Sequence, residues 1–226
     1  MTDLEAIGLA CRRGEHEVFA DLEFRVSAGC LLVVRGPNGS GKTTLLRCLA
    51  GLVRPSAGTI RTDPDETVYL GHRDAITAQM TVAENLRFWA DIHREPTSSG
   101  GDVRHGDRDT DITKAAEALG LVPLLSILVG TLSEGQRRRV GLACLPVSRR
   151  NLWLLDEPAT ALDVESVAMF ERLVRTHLES GGRVVATTQD PAAMTDFPSI
   201  KLTGPTLRSR RSDTVWNGVG IRTHFD

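Results

Sequence analysis

The chain has 226 residues, of which 41% are hydrophobic and 25% charged, and its formal net charge at pH 7 is −2. This composition is typical of a globular protein, and the small negative charge gives no reason to expect a nucleic-acid partner. No apolar stretch reaches the roughly 18 residues that cross a bilayer, and the N-terminus does not resemble a signal peptide. We therefore expect a soluble, cytoplasmic protein that reaches a membrane only through a partner.

Two antiparallel strands are predicted near the N-terminus, at residues 4–10 and 18–26. Within the second, polar and apolar residues alternate over the sequence DLEFRV at 21–26. This two-residue period is typical of a strand with one exposed face. A third strand, the apolar run at 31–34, leads into a glycine-rich segment.

The sequence GPNGSGKT at residues 36–43 matches G-x-x-x-x-G-K-[ST], the phosphate-binding loop of nucleoside triphosphatases. An apolar strand precedes it and a predicted helix, 44–50, follows, so the helix N-terminus would face a bound phosphate. This setting argues against an accidental match by a glycine-rich turn. Lys42 would place a cation on the β/γ-phosphates, and the Thr43 hydroxyl would ligate Mg²⁺. The predicted nucleotide-binding residues here are Gly36, Pro37, Asn38, Gly39, Ser40, Gly41, Lys42, Thr43 and Thr44.

The middle of the chain, about residues 72–148, is predicted to be a helical lobe. Thr81 and Glu84 have the spacing of a capping box that opens a helix reaching about residue 93. Phe88 and Trp89 give this helix more apolar surface than one buried stripe needs, so they predict either a docking groove or core packing. Residues 94–111 have no hydrophobic periodicity and are expected to be a mobile surface insertion. Helices are predicted again at 112–120 and 133–145.

A strand at residues 151–155 ends in two carboxylates, Asp156 and Glu157. Asp156 at the strand end is a candidate Mg²⁺ ligand beside Thr43. Glu157 is a candidate general base that would orient and deprotonate an attacking water. A strand that ends in acids is common, so this prediction depends on the phosphate loop that accompanies it.

Ser133 and Gln136 have capping-box spacing, so a helix is predicted to begin here, with Gly135 allowing close backbone approach. A helix start with a serine hydroxyl can bind a phosphate. Since the phosphate loop already serves the nucleotide of its own chain, this second surface is expected to serve a nucleotide bound to another copy. An ordinary capped helix is the alternative.

The remaining predicted elements are a helix at 163–180, strands at 183–188 and near 200–202, and a poorly ordered tail at 204–226. The pattern predicts an α/β fold with a mostly parallel sheet core of the phosphate-loop type, an N-terminal antiparallel β region and a helical subdomain. We expect a single domain over residues 1–203. The widely spaced cysteines and histidines show no metal-binding or disulfide pattern, and no heme ligand is expected among them.

The sequences GPNGSGKTT, LSEGQ, LLDEP and ATALD, in this order, resemble the nucleotide-binding subunits of ABC transporters over residues 4–203. The resemblance implies ATP and Mg²⁺ as cofactors and a head-to-tail dimer in which Ser133, Gly135 and Gln136 act on the partner copy's nucleotide. The loop at 160–163 would couple the two sites. It further implies integral membrane permease subunits as partners and a peripheral position on the cytoplasmic face of the bacterial inner membrane.

Three shorter stretches resemble one branch of this family, the ATP-binding subunit of cytochrome c maturation, or heme exporter ATP-binding protein. They are LGH at 70–72, TVAENLRFW at 81–89 and GQRRRV at 135–140. The branch implies heme-related transport in c-type cytochrome biogenesis. The alternatives are transport of another substrate, a soluble ABC ATPase acting on ribosomes or DNA, and a phosphate-loop kinase or GTPase. The last two are disfavoured because tandem cassettes, long coiled coils and an N-K-x-D sequence are all missing from this sequence.

The sequence departs from the family pattern at three places, which involve four residues. His72 and Arg73 stand where a glutamine usually senses Mg²⁺ and the membrane partner. Arg13 stands where an aromatic ring usually stacks on adenine, and its planar guanidinium can stack on a base instead. Gln189 replaces the histidine that contacts the γ-phosphate; its amide can donate a hydrogen bond but cannot become a cation. We therefore expect nucleotide binding to persist and hydrolysis to be slow.

Overall fold

The computed structural model describes residues 3–71, 76–93, 105–190, 194–202, 212–216 and 219–223. The chain forms two compact units. The first comprises Met1–His72, Asn151–Pro158 and Thr176–Asp226, and the second Arg73–Arg150 and Ala159–Arg175.

Ten strands and five α-helices lie within the described residues. The strands are β1 (Leu4–Arg13), β2 (His16–Val26), β3 (Leu31–Arg35), β4 (Ala57–Arg61), β5 (Thr67–Leu70), β6 (Leu152–Leu155), β7 (Arg183–Thr188), β8 (Ser199–Lys201), β9 (Ser212–Trp216) and β10 (Val219–Thr223). The helices are α1 (Lys42–Leu49), α2 (Val82–Ile92), α3 (His105–Ala118), α4 (Glu134–Val147) and α5 (Val164–Glu179). Short 3-10 turns occur at Pro64–Glu66, Val122–Leu124 and Val129–Thr131.

The first unit contains two five-stranded sheets. The antiparallel sheet has the order β4-β1-β2-β10-β9, and the second sheet has the order β5-β6-β7-β3-β8 with every pairing parallel. Strands β6 and β7 are buried along their whole length, as is β3 up to its last residue, because near-continuous apolar runs suit a sheet covered on both faces. One apolar core joins both sheets to α1. The predicted mostly parallel core and N-terminal antiparallel region are confirmed.

The second unit is mainly helical. Helix α2 packs against α3 and α4, and α3 also packs against α4. The Thr81 side chain accepts the Glu84 N–H while the Glu84 carboxylate accepts the Thr81 N–H, so the predicted capping box forms. Within the described residues, no helix has both the length and the apolar character needed to span a membrane.

Helix α3 begins earlier than the sequence predicts. Residues 105–111, predicted to belong to a mobile insertion, form its first two turns, whereas residues 94–104 lie outside the described part of the chain. The Asp111 carboxylate accepts hydrogen bonds from the Arg149 guanidinium, and Asp109 lies 3.8 Å from Arg87. These ion pairs join α3 to neighbouring segments of the same unit. A search for apolar periodicity does not detect such contacts.

The C-terminal tail also differs from its prediction. Instead of a poorly ordered end, residues 212–216 and 219–223 form the antiparallel pair β9 and β10, and β10 pairs with β2. The sequence contained a signal for this pairing. Asn217-Gly218, a dipeptide typical of two-residue hairpins, stands between two stretches that contain β-branched residues.

The two aromatic residues of α2 have different environments. Trp89 is only 6% exposed and stacks on His93 with the ring centroids 5.0 Å apart, so core packing is the correct alternative for it. Phe88 is 47% exposed and Ile92 is 53% exposed. The predicted docking surface is therefore reduced to these two side chains within α2.

A half-buried histidine of α5 stacks on a tryptophan of the parallel sheet. The rings of Trp153 and His177 lie 3.7 Å apart with an interplanar angle of 8°. The Nε2 of His177 is 3.2 Å from the Asn151 carbonyl oxygen. Burial lowers the pKa of His177 from 6.5 to about 4, since removing water disfavours the charged ring. The fold therefore holds this ring neutral at pH 7.

The low pKa of His177 predicts a loss of stability in mild acid. Between pH 6.5 and pH 4 the unfolded chain binds this proton more readily than the folded chain, so stability falls as the pH is lowered through that window. We expect His177 to contribute about 2 kcal/mol to the decrease in unfolding free energy between pH 7 and pH 5. Urea unfolding at both pH values measures this decrease. In His177→Phe, which keeps an aromatic ring on Trp153, the decrease in unfolding free energy between pH 7 and pH 5 should be smaller.

The control is His16→Gln at the exposed start of β2, which should keep the wild-type decrease. An equal decrease in wild-type protein and His177→Phe would contradict the prediction.

Candidate nucleotide-binding and hydrolysis site

The predicted phosphate loop connects β3 to α1. Its backbone needs glycine at both ends: Gly36 has φ 154° and Gly41 has φ 99°. A Cβ on Gly36 would lie 2.3 Å from the Leu202 carbonyl oxygen, and one on Gly41 would lie 2.5 Å from Val18 Cγ1. Gly41 is also the N-cap of α1 and offers no side-chain acceptor to the first-turn N–H groups. An anion placed there can therefore accept from them.

Two buried polar side chains face this loop. Ser40 is 2% exposed, and among the described residues no group hydrogen-bonds to its Oγ. Lys42 is 6% exposed; its ammonium donates to the carbonyl oxygens of Gly36, at 2.8 Å, and Pro37, at 3.2 Å. A buried hydroxyl without a partner beside a buried cation fits a phosphate group, which supplies oxygen acceptors to both.

Asp156, at the end of β6, connects the loop to the neighbouring strand. Its carboxylate is 1% exposed and accepts hydrogen bonds from Thr43 Oγ1, at 2.9 Å to Oδ2, and from Thr187 Oγ1, at 2.8 Å to Oδ1. The Asp156 N–H donates to the Leu70 carbonyl oxygen in β5. Through its carboxylate and its backbone N–H, Asp156 thereby connects the ends of β5, β6 and β7 with the first turn of α1.

Glu157 is held by backbone and side-chain contacts. It has φ 50°, an uncommon conformation for a non-glycine residue. Its N–H donates to Thr187 Oγ1 at 2.9 Å, and its Oε2 accepts the Gln189 N–H at 3.3 Å. Its Oε1 lies 3.4 Å from Lys42 Nζ. The two acids at the end of β6 thus lie beside the phosphate loop, as the sequence predicts, while the Gln189 side chain is exposed.

The oxygen atoms around Thr43 suit a hard cation. The Thr43 hydroxyl and the Asp156 carboxylate are within 3.2 Å of each other, and hydroxyl and carboxylate oxygens are ligands that Mg²⁺ accepts. In the described part of the chain, no group of three or more His, Cys, Asp or Glu side chains forms a separate metal site.

The adenine contact predicted from the sequence falls at a hairpin. Arg13 is exposed at the end of β1, where it pairs with His16. The next strand borders the phosphate loop, because Val18 and Phe19 are the side chains nearest to a Cβ built on Gly41. The departures from the family pattern at residues 72 and 73 lie outside the described residues.

The second predicted phosphate surface lies in the helical unit. Ser133 caps α4: its Oγ accepts the Gln136 N–H at 3.2 Å, and Gln136 Oε1 accepts the Ser133 N–H at 2.9 Å. A Cβ on Gly135 would lie 3.0 Å from the Ala161 carbonyl oxygen, so this helix start packs closely against the loop at 160–163. Ala161 itself has φ 66°.

The same loop ends in a helix cap. Asp163 Oδ1 accepts the Ser166 N–H at 2.8 Å, and hydrogen bonding from Ser166 lowers the pKa of Asp163. The capped start of α4 and the loop before α5 therefore form one surface of the second unit.

Sequence reasoning missed Thr187, whose hydroxyl contacts both acids. A threonine at the carboxyl end of a buried strand was a usable signal, since parallel strand ends meet at one edge of a sheet. Thr187→Val keeps the shape but removes the hydroxyl. We expect the free energy of unfolding to fall by about 1–3 kcal/mol, because the buried Asp156 carboxylate loses a donor and the Glu157 N–H loses its acceptor.

Thr187→Ser, which keeps the hydroxyl, is the matched variant and should retain most of this stability. Urea unfolding measures both changes. If Thr187→Val proves as stable as the wild-type protein, the structural importance given to this hydroxyl is wrong.

Residues 19–160 match the family model described as ABC transporter. Among curated relatives, the "Cytochrome c biogenesis ATP-binding export protein CcmA" of Rhizobium meliloti (strain 1021) is 43% identical over 210 residues, covering 89% of this chain and 98% of that protein. The protein of the same name from Rhodopseudomonas palustris (strain HaA2) is 45% identical over 200 residues, covering 85% and 94%.

Solved structures agree on the fold. The structure of an ATP-binding subunit of an ABC transporter matches with a TM-score of 0.81 at 19% identity, covering 92% of this chain and 89% of that one. A dimeric structure of a bacterial ABC transporter cassette matches with a TM-score of 0.76 at 20% identity, covering 88% and 94%. The chain therefore belongs to the ABC transporter family, as one of its ATP-binding and ATP-hydrolysing subunits, and within it to the CcmA group of cytochrome c biogenesis export proteins.

Proposed function

We propose that this chain energises heme-related transport in c-type cytochrome biogenesis by binding and hydrolysing ATP for a membrane complex. The observation that best supports this proposal is a group of hydrogen bonds beside the phosphate loop. These bonds connect Thr43, Asp156, Thr187 and Glu157. The export branch is supported by relatives that are 43–45% identical over most of their own length.

The phosphate loop would hold the triphosphate. The buried Lys42 ammonium, now 2.8 Å from the Gly36 carbonyl oxygen, is the cation for the β/γ-phosphates, and the Ser40 hydroxyl and first-turn N–H groups of α1 are the donors. Arg13, exposed at the hairpin beside the loop, would stack its guanidinium on adenine. The remaining phosphate contacts come from Pro37, Asn38, Gly39, Gly41 and Thr44.

Thr43 and Asp156 would hold Mg²⁺. The ion would neutralise charge on the phosphate oxygens when bound. The fit rests on the adjacency of the Thr43 hydroxyl and the Asp156 carboxylate. Thr187 keeps that carboxylate oriented from the opposite side.

Glu157 would be the general base for the attacking water. Its carboxylate is positioned from two directions, by the Gln189 N–H and by its own backbone bond to Thr187. The Gln189 side-chain amide would donate a neutral hydrogen bond to the γ-phosphate. Because a cation stabilises developing phosphate charge better than an amide does, we expect slow hydrolysis.

A second copy would complete each site. Ser133, Gly135 and Gln136 form a capped helix start at which Ser133 is exposed, and in a head-to-tail dimer they would contact the nucleotide held by the partner copy. The loop at 160–163, packed on Gly135, would couple the two sites. The dimer would work with integral membrane permease subunits at the cytoplasmic face of the bacterial inner membrane, with no nucleic acid involved.

Glu157→Gln tests the base and the dimer together. We expect kcat for ATP to fall at least about 100-fold, since general base catalysis contributes that much, while ATP affinity stays within a few-fold. Trapped ATP should then shift the protein to a dimer in light scattering. Adding Ser133→Arg should abolish the dimer while ATP binding is kept. The control Ser56→Arg, at another exposed serine, should leave both the dimer and ATP binding intact.

A protein that stays monomeric with ATP in the Glu157→Gln background would argue against the shared site. Full ATPase activity in Glu157→Gln would show that Glu157 is not the general base.

Gln189→His tests the origin of slow hydrolysis. An imidazolium can make a charge-assisted hydrogen bond to the γ-phosphate, so we expect kcat to rise about tenfold with little change in KM. Steady-state ATPase assays measure the effect, and Gln189→Asn serves as the neutral control. An unchanged or lower kcat in Gln189→His would refute this explanation.

Coupling to the membrane partner is tested at α2. Phe88→Glu alters an exposed side chain, so we expect unfolding free energy to change by less than about 0.5 kcal/mol while transport-coupled ATPase activity is lost. Trp89→Ala removes a buried ring and should instead destabilise the protein by about 3–5 kcal/mol. If Phe88→Glu unfolds the protein or leaves coupling intact, Phe88 is not part of the docking surface.

The transport assignment is tested by purifying the chain with its membrane partners and measuring ATPase activity with and without heme. Co-purification of cytochrome c maturation subunits, with a heme-dependent rate, is the expected result. Co-purification with a different permease would indicate another substrate, and recovery with ribosomes or DNA would overturn the transport role.

A further inference from the structure

Arg35 is the last residue of β3 and immediately precedes the phosphate loop. Among the hydrogen bonds of its guanidinium, Nη1 donates to the Asp190 carbonyl oxygen at 3.1 Å and Nη2 donates to the Met194 carbonyl oxygen at 3.0 Å. One side chain therefore connects the entry to the phosphate loop with two backbone points that follow β7.

The first of these points adjoins the proposed hydrolysis site. Asp190 follows Gln189, whose N–H donates to Glu157 Oε2 at 3.3 Å. Arg35 pairs with Thr188 in the parallel register of β3 and β7, so its side chain leaves the sheet at the same edge. The backbone of Gln189 therefore lies between Thr188, which belongs to the strand, and Asp190, whose carbonyl oxygen is held by the Arg35 guanidinium.

The chemistry of the guanidinium suits this task. It is planar and always charged, and its donors diverge, so it can bond two carbonyl oxygens at once; a lysine ammonium is a compact point charge. Its two donors Nη1 and Nη2 point at backbone carbonyls, whereas the buried cation beside the phosphate loop is Lys42. Arg35 is therefore suited to positioning rather than to phosphate binding.

We propose that Arg35 is a positioning residue for ATP hydrolysis, which holds the Asp190 and Met194 carbonyls and thereby fixes Gln189 against Glu157. The proposal rests on the proposed roles of Glu157 and Gln189. It requires Arg35 to affect the catalytic step and not ATP affinity, because the residues that hold the phosphates lie on the other side of Gly36.

The test uses the full chain with Arg35→Met, Arg35→Lys and a matched control. Lys201 pairs with Arg35 in β8 and is exposed, so Lys201→Met removes a nearby cation without removing a carbonyl donor. We expect Arg35→Met to lower kcat about tenfold or more, because small displacements of catalytic groups have effects of that size. Its KM and its affinity for a fluorescent ATP analogue should stay within twofold. Arg35→Lys should be intermediate, and Lys201→Met should behave as the wild-type protein.

Two further readouts separate positioning from a purely structural role. In a Glu157→Ala background the effect of Arg35→Met on the residual kcat should shrink to less than twofold, since the carboxylate that accepts the Gln189 N–H is gone. Hydrogen–deuterium exchange at the Gln189 amide should be faster in Arg35→Met, while amides of β3 and β7 keep their protection.

The hydrogen–deuterium exchange measurement needs no catalysis, so it tests the positioning role of Arg35 even if the wild-type chain fails to hydrolyse ATP. Such a failure would count against the proposed function alone. An unchanged Gln189 exchange rate overturns the proposal. So does a lower melting temperature with unchanged kcat, or a raised KM with unchanged kcat.

Discussion

The hydrogen bonds to the buried carboxyl group of Asp156 are the interaction on which the site depends. A carboxylate that is 1% exposed needs donors to offset its lost hydration, and here they come from Thr43 and Thr187. The same contacts fix the first turn of α1 and the end of β7. Because the Thr187 hydroxyl also accepts the Glu157 N–H, satisfying one buried group orients the next acid in the chain.

Much of this arrangement could be predicted from the sequence because several independent signals agree. The apolar runs within β3, β6 and β7 show no alternation of polar and apolar residues, which predicts central strands of a parallel sheet. Parallel strands bring their carboxyl ends together, which places the phosphate loop near Asp156. The capping box at Ser133 is equally local, since both of its hydrogen bonds form within four residues.

The features that were missed depend on partners distant in sequence. The early start of α3 is accompanied by the ion pair between Asp111 and Arg149, which are 38 positions apart. Burial of Trp89 depends on the packing of α2 against two other helices. The position of Thr187 at the end of a buried strand places it at the edge of the sheet, but it does not identify Asp156 and Glu157 as its partners until the order of the strands is known. Local propensity carries none of this information.

The C-terminal strand pair changes what the N-terminal sheet presents to its surroundings. Strand β10 occupies the side of β2 that does not face β1, and it pairs there from Val26 to Leu22. Without it, β2 would display a row of unsatisfied backbone donors and acceptors, the kind of edge that recruits strands from other molecules. The sheet therefore ends at the five-residue β9 and not at the eleven-residue β2, and a short edge strand is less able to accept a strand from another molecule. Shortening the chain there would carry a solubility penalty unrelated to nucleotide chemistry.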